Sequence, residues 1–131
     1  MKYIALSFLI LCSTLTALAQ KRVIDSLYKE LANKENDTTT ALTLCNLGYC
    51  YLDYKPDSTM LLAKQSYNLS RRIKFLKGES WALNMMASSF HALHNYPKAI
   101  AYYIEQIKIE EKRGMPENKG NAYLSIALVY S

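Results

Sequence analysis

Apolar side chains recur along most of this chain at intervals of three and four residues, the spacing of one face of an α-helix. The first group predicts a short helix over residues 21–32, and the later groups predict five more. Glycine and proline, with four and three copies, are too scarce for a fold built on tight turns, so we expect an all-α protein. The groups are Val23, Ile24, Leu27, Tyr28 and Leu31; Leu42, Leu44, Leu47 and Tyr51; Leu62, Ala63, Leu69 and Ile73; Leu83, Met86, Ala87 and Phe90; Ala99, Ile100, Tyr103 and Ile107; Tyr123, Ile126, Ala127 and Tyr130.

Short polar stretches separate the predicted helices and supply their ends. Lys77-Gly78 is expected to end the third helix, and Lys112-Arg113-Gly114 to end the fifth, because glycine commonly follows the last helical turn and cations stabilise it. Short polar side chains accept hydrogen bonds from the first backbone N–H groups of a helix. The expected caps of the second and third helices are Asp37 or Thr38 and Asp57 or Ser58.

The helices repeat in pairs. Leu47, Met86 and Ile126 hold equivalent places in the pattern and lie 39 and 40 residues apart. A period of this length indicates stacked helical hairpins, each of which buries its apolar face against its neighbours. We expect two hairpins, over residues 38–76 and 77–115, and an incomplete third over 116–131.

The side chains at these positions resemble the tetratricopeptide repeat. That family has a large residue, then Leu-Gly, then Tyr in the first helix of each unit, and Ala-x-x-x-Phe in the second. The units here are longer than the family's 34 residues. The matching positions are Leu44, Leu47, Gly48, Tyr51, Thr59, Ala63 and Ser66 in the first unit; Leu83, Met86, Ala87, Phe90, Ala99, Tyr103 and Gln106 in the second; and Tyr123, Ile126, Ala127 and Tyr130 in the third.

The resemblance implies a right-handed superhelical stack of antiparallel hairpins with a peptide-binding concave face. Packing against neighbouring helices is the alternative role for Leu42, Trp81 and Leu124. The clamp that some relatives use for a C-terminal carboxylate is not expected, because Cys45 and Tyr49 replace its Lys and Asn. The residues that the resemblance places on the concave face are Cys45, Tyr49, Trp81, Asn84, Ser88, His91 and Asn121, with the apolar Leu42, Leu52, Leu124 and Leu128.

The first nineteen residues have the pattern of a secretory signal peptide. Lys2 gives a positive start, residues 4–11 are almost entirely apolar, and Ala17-Leu18-Ala19 is a small-residue cleavage site. Cleavage would leave Gln20 as the first residue, with residues 20–37 forming an N-terminal helix and linker. An uncleaved anchor is the alternative, although the apolar core is short for the ~30 Å of a bilayer. We expect an exported protein on the periplasmic or extracytoplasmic side of a bacterial membrane.

The charge adds little to this picture. The chain carries a net charge of +5 and has a pI of about 9.1. Its densest basic run, residues 71–77, lies at a predicted helix end, where cations stabilise the helix dipole. Contact with phosphates or anionic lipid is the alternative for that run. Export excludes nucleic acid from the expected partners.

The residues capable of catalysis or metal binding form no familiar arrangement. His91 and His94 are the only histidines, and no cysteine or carboxylate lies four residues from either to complete a metal site. Glu110 and Glu111 are expected to be solvated or capping carboxylates, because no apolar pocket is predicted around them. The sequence therefore predicts no enzyme, no metal and no cofactor.

The hypothesis from sequence is a non-catalytic scaffold that binds a protein or peptide in its concave groove. The resemblance implies the extracytoplasmic sensory or interaction region of a two-component signalling protein, with further repeats, a membrane helix and an output domain after residue 131. A stand-alone periplasmic binding or assembly protein is the main alternative, and a fragment of a helical hydrolase is a weaker one. The third hairpin is expected to expose Tyr123, Ile126, Leu128 and Tyr130 and to promote self-association.

Overall fold

The structure, a computed structural model, describes residues 1–32 and 37–130, and of residues 116–118 only the backbone. Within these ranges the chain forms α-helices and no β-strand, which confirms the all-α prediction. The helices are α1 (Lys2–Ala32), α2 (Thr38–Tyr51), α3 (Pro56–Arg72), α4 (Leu76–Ala92), α5 (Tyr96–Arg113) and α6 (Pro116–Tyr130).

Helix α1 is longer than predicted. It begins at Lys2 rather than near Lys21, because no glycine or proline interrupts residues 1–47. Residues 1–23 are exposed, whereas Ile24, Leu27 and Leu31 pack against the apolar core beside α2. By length and composition α1 is sufficient to cross a bilayer, so the shortness of its apolar core does not exclude an anchor. A signal sequence fits the same description.

Consecutive helices pack against each other in opposite directions. In the α2–α3 pair, Thr59 near the start of α3 donates a hydrogen bond to the carbonyl oxygen of Gly48, 2.8 Å away. At the other end of the pair, Ser66 donates to the carbonyl oxygen of Ala41 at 2.7 Å. Helix α4 runs back along α3 and also contacts α2. Helices α5 and α6 continue the series, each against the helix before it.

Helices α3 to α6 follow a regular spacing, beginning at residues 56, 76, 96 and 116. The three helices α3, α4 and α5 end alike, each followed by a residue in the left-handed region: Lys74 at φ 57°, His94 at φ 57° and Gly114 at φ 66°. In each case the next backbone N–H bonds to a carbonyl five residues earlier, as from Phe75 to Ser70 at 2.8 Å. This geometry satisfies carbonyls that the helix leaves unpaired.

Two of the predicted helix ends are confirmed and two are wrong. Asp37 caps α2 by accepting a hydrogen bond from the backbone N–H of Thr40 at 2.8 Å, and Gly114 ends α5. Helix α3 is not capped by a side chain, because Pro56 starts it with a φ already suited to the first turn. Gly78 does not end α3 and lies inside the first turn of α4.

Candidate functional site

A cleft of about 570 Å³ opens between α4, α5 and α6. Each helix contributes side chains at intervals of three to four residues, the spacing that keeps them on one face. The floor is therefore built by three consecutive helices rather than by a loop. The lining residues are Lys77, Ser80, Trp81 and Asn84 from α4; Gln106, Glu110 and Arg113 from α5; and Asn121, Leu124 and Ser125 from α6.

A buried carboxylate organises the cleft. The side chain of Glu110 is only 2% exposed, and it accepts a hydrogen bond from the Ser80 hydroxyl of α4. Arg113, one turn further along α5, donates from Nη1 to both carboxylate oxygens at 2.7 Å. Burial of a charge is costly unless it is paired and hydrogen-bonded, and these contacts supply both. Of the two alternatives expected for Glu110, a solvated or a capping carboxylate, the solvated one is therefore wrong.

A second polar contact joins the same two helices. The side-chain amide of Asn84 donates to the Gln106 oxygen at 3.1 Å. Both residues line the cleft, and Gln106 is buried. Amide groups can donate and accept at once, so this pair offers a ligand both kinds of partner.

The rest of the lining combines charge with apolar surface. Lys77 is exposed at the start of α4, and Trp81 is half-buried one turn later. Leu124 of α6 is exposed and faces the same cleft. A concave site with an aromatic side chain and a few convergent polar groups is the usual form of a binding site for a small molecule or peptide.

The structure brings three of the seven sequence-predicted site residues into this cleft. Trp81, Asn84 and Asn121 line it, together with Leu124, which the resemblance placed on the same face. Packing on neighbouring helices was the alternative for Trp81 and Leu124. Trp81 takes both roles, because it also contacts the core cluster between α2, α3 and α4.

Cys45 is a clear departure from the expected position. It has no exposed surface, because α4 packs across α2 and α3 at this level of the fold. Its thiol lies 3.1 Å from the Ser66 hydroxyl oxygen. Burial raises the pKa of Cys45 to about 11, against a smaller opposing effect of the Ser66 hydrogen bond. Cys45 is therefore a free, buried thiol and does not line an open groove.

The remaining three predicted residues lie outside the cleft. Tyr49 is exposed on α2. Ser88 is half-buried, and its hydroxyl lies 3.3 Å from that of Tyr103. His91 is exposed at the end of α4, with its ring centroid 5.5 Å from that of Tyr96.

The side chains that α5 contributes to the cleft were not predicted from the sequence. Gln106, Glu110 and Arg113 were not proposed as site residues because the resemblance assigned the groove to the first helix of each unit. Glu110 and Arg113 are three residues apart, a spacing that pairs opposite charges on a helix. In the sequence, the one indication of a buried ion pair is that the acidic Glu110 follows Ile109 directly in an apolar part of α5.

Other candidate sites are weaker. A shallower cleft of about 360 Å³ lies between α2 and α3, lined by Thr40, Leu44, Gln65, Asn68, Leu69 and Arg72. Within the described part of the chain, no group of three or more His, Cys, Asp or Glu side chains is placed to hold a metal ion. No family model, curated protein or solved structure matches this chain.

Proposed function

We propose that this chain is a non-catalytic helical-repeat scaffold that binds a protein or peptide in the cleft between α4, α5 and α6. The observation that carries the proposal is the convergence of Trp81, Asn84 and Asn121 on one cleft with the Glu110–Arg113 pair. Paired amides suit the N–H and carbonyl groups of a peptide backbone, and Trp81 suits an apolar side chain.

The proposed architecture is a right-handed superhelical stack of antiparallel hairpins of the tetratricopeptide-repeat type. Two observations support it. The regular helix starts and the shared left-handed ends of α3, α4 and α5 are expected of a repeated unit. In addition, α4 contacts both helices of the preceding hairpin, as stacking of one unit on the next requires.

The proposed location is the extracytoplasmic side of a bacterial membrane, with α1 acting as the export signal. The exposed apolar residues 2–19 support this. The role is either the sensory or interaction region of a two-component signalling protein or that of a stand-alone binding or assembly protein. The genomic DNA after codon 131 distinguishes them, because only the first requires an encoded output domain. A helical hydrolase remains the weaker alternative.

The proposal excludes turnover and nucleic acid, and it requires no cofactor. Purified protein is expected to be inert toward phosphate, ester and glycoside substrates. A turnover that copurifies with the chain and is lost in His91→Ala or Glu110→Gln would contradict the non-catalytic assignment.

A display experiment tests the binding site. The full chain, in a mild non-ionic detergent that covers residues 2–19, is panned against a random peptide library. Selected peptides are expected to bind the native chain and to lose about tenfold or more in affinity to Trp81→Ala, since a buried aromatic contact commonly contributes this much. Tyr49→Ala is the matched control, because Tyr49 is aromatic and lies outside the cleft. Failure to select any peptide, or equal binding to Trp81→Ala, would refute the assignment.

A further inference from the structure

The charged groups of the α4–α6 cleft specify the class of peptide more narrowly. We infer that the ligand is an acidic peptide, with a carboxylate bound by Arg113 and Lys77. This inference rests on the proposed peptide-binding function. It uses positions different from the C-terminal carboxylate clamp of the resembling family, which is absent here at Cys45 and Tyr49.

The guanidinium of Arg113 is held in place through one of its nitrogen atoms. Its Nη1 atom donates to both oxygens of Glu110, and its side chain is 16% exposed. Among the described side chains, its Nη2 and Nε atoms have no hydrogen-bond partner. A planar guanidinium can donate two parallel hydrogen bonds to a carboxylate. The orientation set by Glu110 means that little further ordering of Arg113 is needed on binding.

The charge balance of the lining favours an anion. Glu110 is the only carboxylate among the described lining residues, and its oxygens already accept hydrogen bonds from Ser80 and Arg113. Lys77 and Arg113 together carry two positive charges against this single negative one. Within the described lining, a cationic peptide would therefore meet only a carboxylate whose oxygens already accept hydrogen bonds, whereas an acidic peptide would meet an excess cation.

The surrounding surface extends the same charge. Because the helices alternate in direction, the end of α3, the start of α4, the end of α5 and the start of α6 lie at one end of the stack. Among the described residues, these segments carry five exposed cations and one exposed carboxylate, Glu111, and an excess of one sign of charge attracts a ligand of the opposite sign. Lys119 is paired with Glu111 at 3.1 Å. The exposed cations are Arg71, Arg72, Lys74, Lys77 and Lys112.

The apolar part of the lining argues for a peptide rather than a free anion. Trp81 and Leu124 face the cleft beside the cations. Inorganic phosphate would bind Lys77 and Arg113 and leave the apolar surface of Trp81 and Leu124 exposed to solvent. A peptide that alternates acidic and apolar side chains would use both parts of the site.

The test uses peptides from the display selection. The pool is expected to be enriched in Asp and Glu. The strongest binder is then synthesised with a C-terminal amide, with a free C-terminus, and with every Asp and Glu replaced by Asn and Gln. The neutral version is expected to bind about tenfold or more weakly, because charge-assisted bidentate hydrogen bonds are lost. If the bound carboxylate belongs to an Asp or Glu side chain, the peptide with a C-terminal amide is expected to bind tightly. If it is the C-terminal carboxylate, only the peptide with a free C-terminus is expected to bind.

Variants of the protein assign the effect to the cleft. Lys77→Gln and Arg113→Gln are expected to weaken the acidic peptide by a larger factor than its neutral version. Arg113→Gln also removes the partner of the buried Glu110, so the ratio of the two affinities is compared rather than either affinity alone. Arg113→Lys is expected to recover only part of the affinity, because lysine keeps the charge and loses the planar fork. Lys112→Gln is the matched control, since it removes one positive charge from the same end of α5 without changing a lining residue and therefore reports the general charge effect alone.

The possible failures are distinguishable. If peptides are selected but show no acidic enrichment, or if Arg113→Gln and Lys112→Gln behave alike, the acidic ligand is refuted while peptide binding stands. If inorganic phosphate displaces the acidic peptide at equal concentration, the site is one for free anions and the inference is wrong. If no peptide is selected, the proposed function fails and the inference fails with it.

Discussion

A Cβ atom at Gly78 would overlap the buried hydroxyl of Ser70, because the start of α4 lies directly against the end of α3. It would also lie 2.6 Å from Cδ1 of Phe75, in the turn between the two helices. Overpacking of this kind typically costs about 1–3 kcal/mol. Gly78→Ala is therefore expected to lower the free energy of unfolding by about that amount, as measured by urea denaturation.

The cause of that loss can be checked with a second substitution. The Ser70 hydroxyl is buried and has no hydrogen-bond partner among the described residues, so Ser70→Ala alone is expected to cost little. In the double variant Ser70→Ala/Gly78→Ala, part of the loss should be recovered, since one of the two overlapping groups is gone. Purely additive effects would show that steric overlap is not the cause.

Gly48 is expected to respond in the opposite direction. A Cβ atom there would lie 3.6 Å from the carbonyl oxygen of Thr59 and 3.7 Å from Cβ of Leu62, which are ordinary contact distances. Alanine is favoured over glycine within a helix by about 0.5–1 kcal/mol. Gly48→Ala is therefore expected to raise the melting temperature slightly. A clear decrease would mean that α2 and α3 approach more closely than described.

Stability should decline in alkaline solution because of Cys45. Burial raises its pKa from 9.0 to about 11, so between these values the unfolded chain has lost a proton that the folded chain retains. The contribution of the Cys45 thiol to the free energy of unfolding is thus fully present below pH 9. It is lost as the pH rises to 11. The expected loss in the free energy of unfolding is about 2–3 kcal/mol, because a shift of one pKa unit corresponds to about 1.36 kcal/mol.

The contribution of Cys45 can be separated from that of Tyr51. A hydrogen bond with Tyr28 is the main cause that raises the pKa of Tyr51 from 10.0 to about 12, which adds a loss of stability between pH 10 and 12. Unfolding free energies of the native chain and Cys45→Ala, measured from pH 8 to 11, should differ in slope. Parallel pH profiles would contradict a buried, protonated Cys45 thiol.

Export is expected to remove the first nineteen residues. N-terminal sequencing of the exported protein should find Gln20, and Ala17→Leu/Ala19→Leu should block processing, because the cleavage site requires small residues. Leu18→Ile is the matched control. In the uncleaved chain the Gln20 side chain donates a hydrogen bond to the Cys50 carbonyl oxygen at 3.0 Å. An exported native chain that still begins with Met1 would favour the anchor alternative.

Helix α6 is expected to promote self-association of the processed chain. Tyr123 and Leu128 are 57% and 62% exposed, and exposed apolar patches commonly form contacts with another protein surface. Tyr123→Ser/Leu128→Ser should therefore shift the sedimentation profile toward monomer. Leu61→Ser, at a site 60% exposed on α3, should leave it unchanged. Ile126 was predicted to share this exposed face, but it packs against the Ala87, Ala99 and Tyr103 cluster.

The spacing of apolar side chains predicts the helices of this chain well, because it depends only on which face of each helix is buried. Leu47 and Leu83 lie at the centres of their stripes and are fully buried. Gly114 ends a helix as predicted, since its positive φ favours glycine. Gly78 is misleading because the same residue type also permits close contact between helices. The left-handed position near it is taken by Lys74.

The site is predicted less completely because it depends on contacts between distant residues. The resemblance places Trp81 and Asn121 on the concave face, and both line the cleft. The Ser80–Glu110 hydrogen bond joins residues thirty positions apart, so a local pattern does not reveal it. Cys45 shows the same dependence on distant residues: the resemblance places it on the concave face, and the packing of α4 buries it.

The most direct test of the account is the emission of Trp81, the single tryptophan of the chain, which lies in the cleft. A selected acidic peptide, itself free of tryptophan, is titrated into the protein while calorimetry records binding independently. Peptide binding in the cleft predicts that the emission shifts to shorter wavelength with the calorimetric affinity, and that both signals weaken together in Arg113→Gln. Calorimetric binding with unchanged Trp81 emission would contradict the account, because the peptide would then occupy another surface.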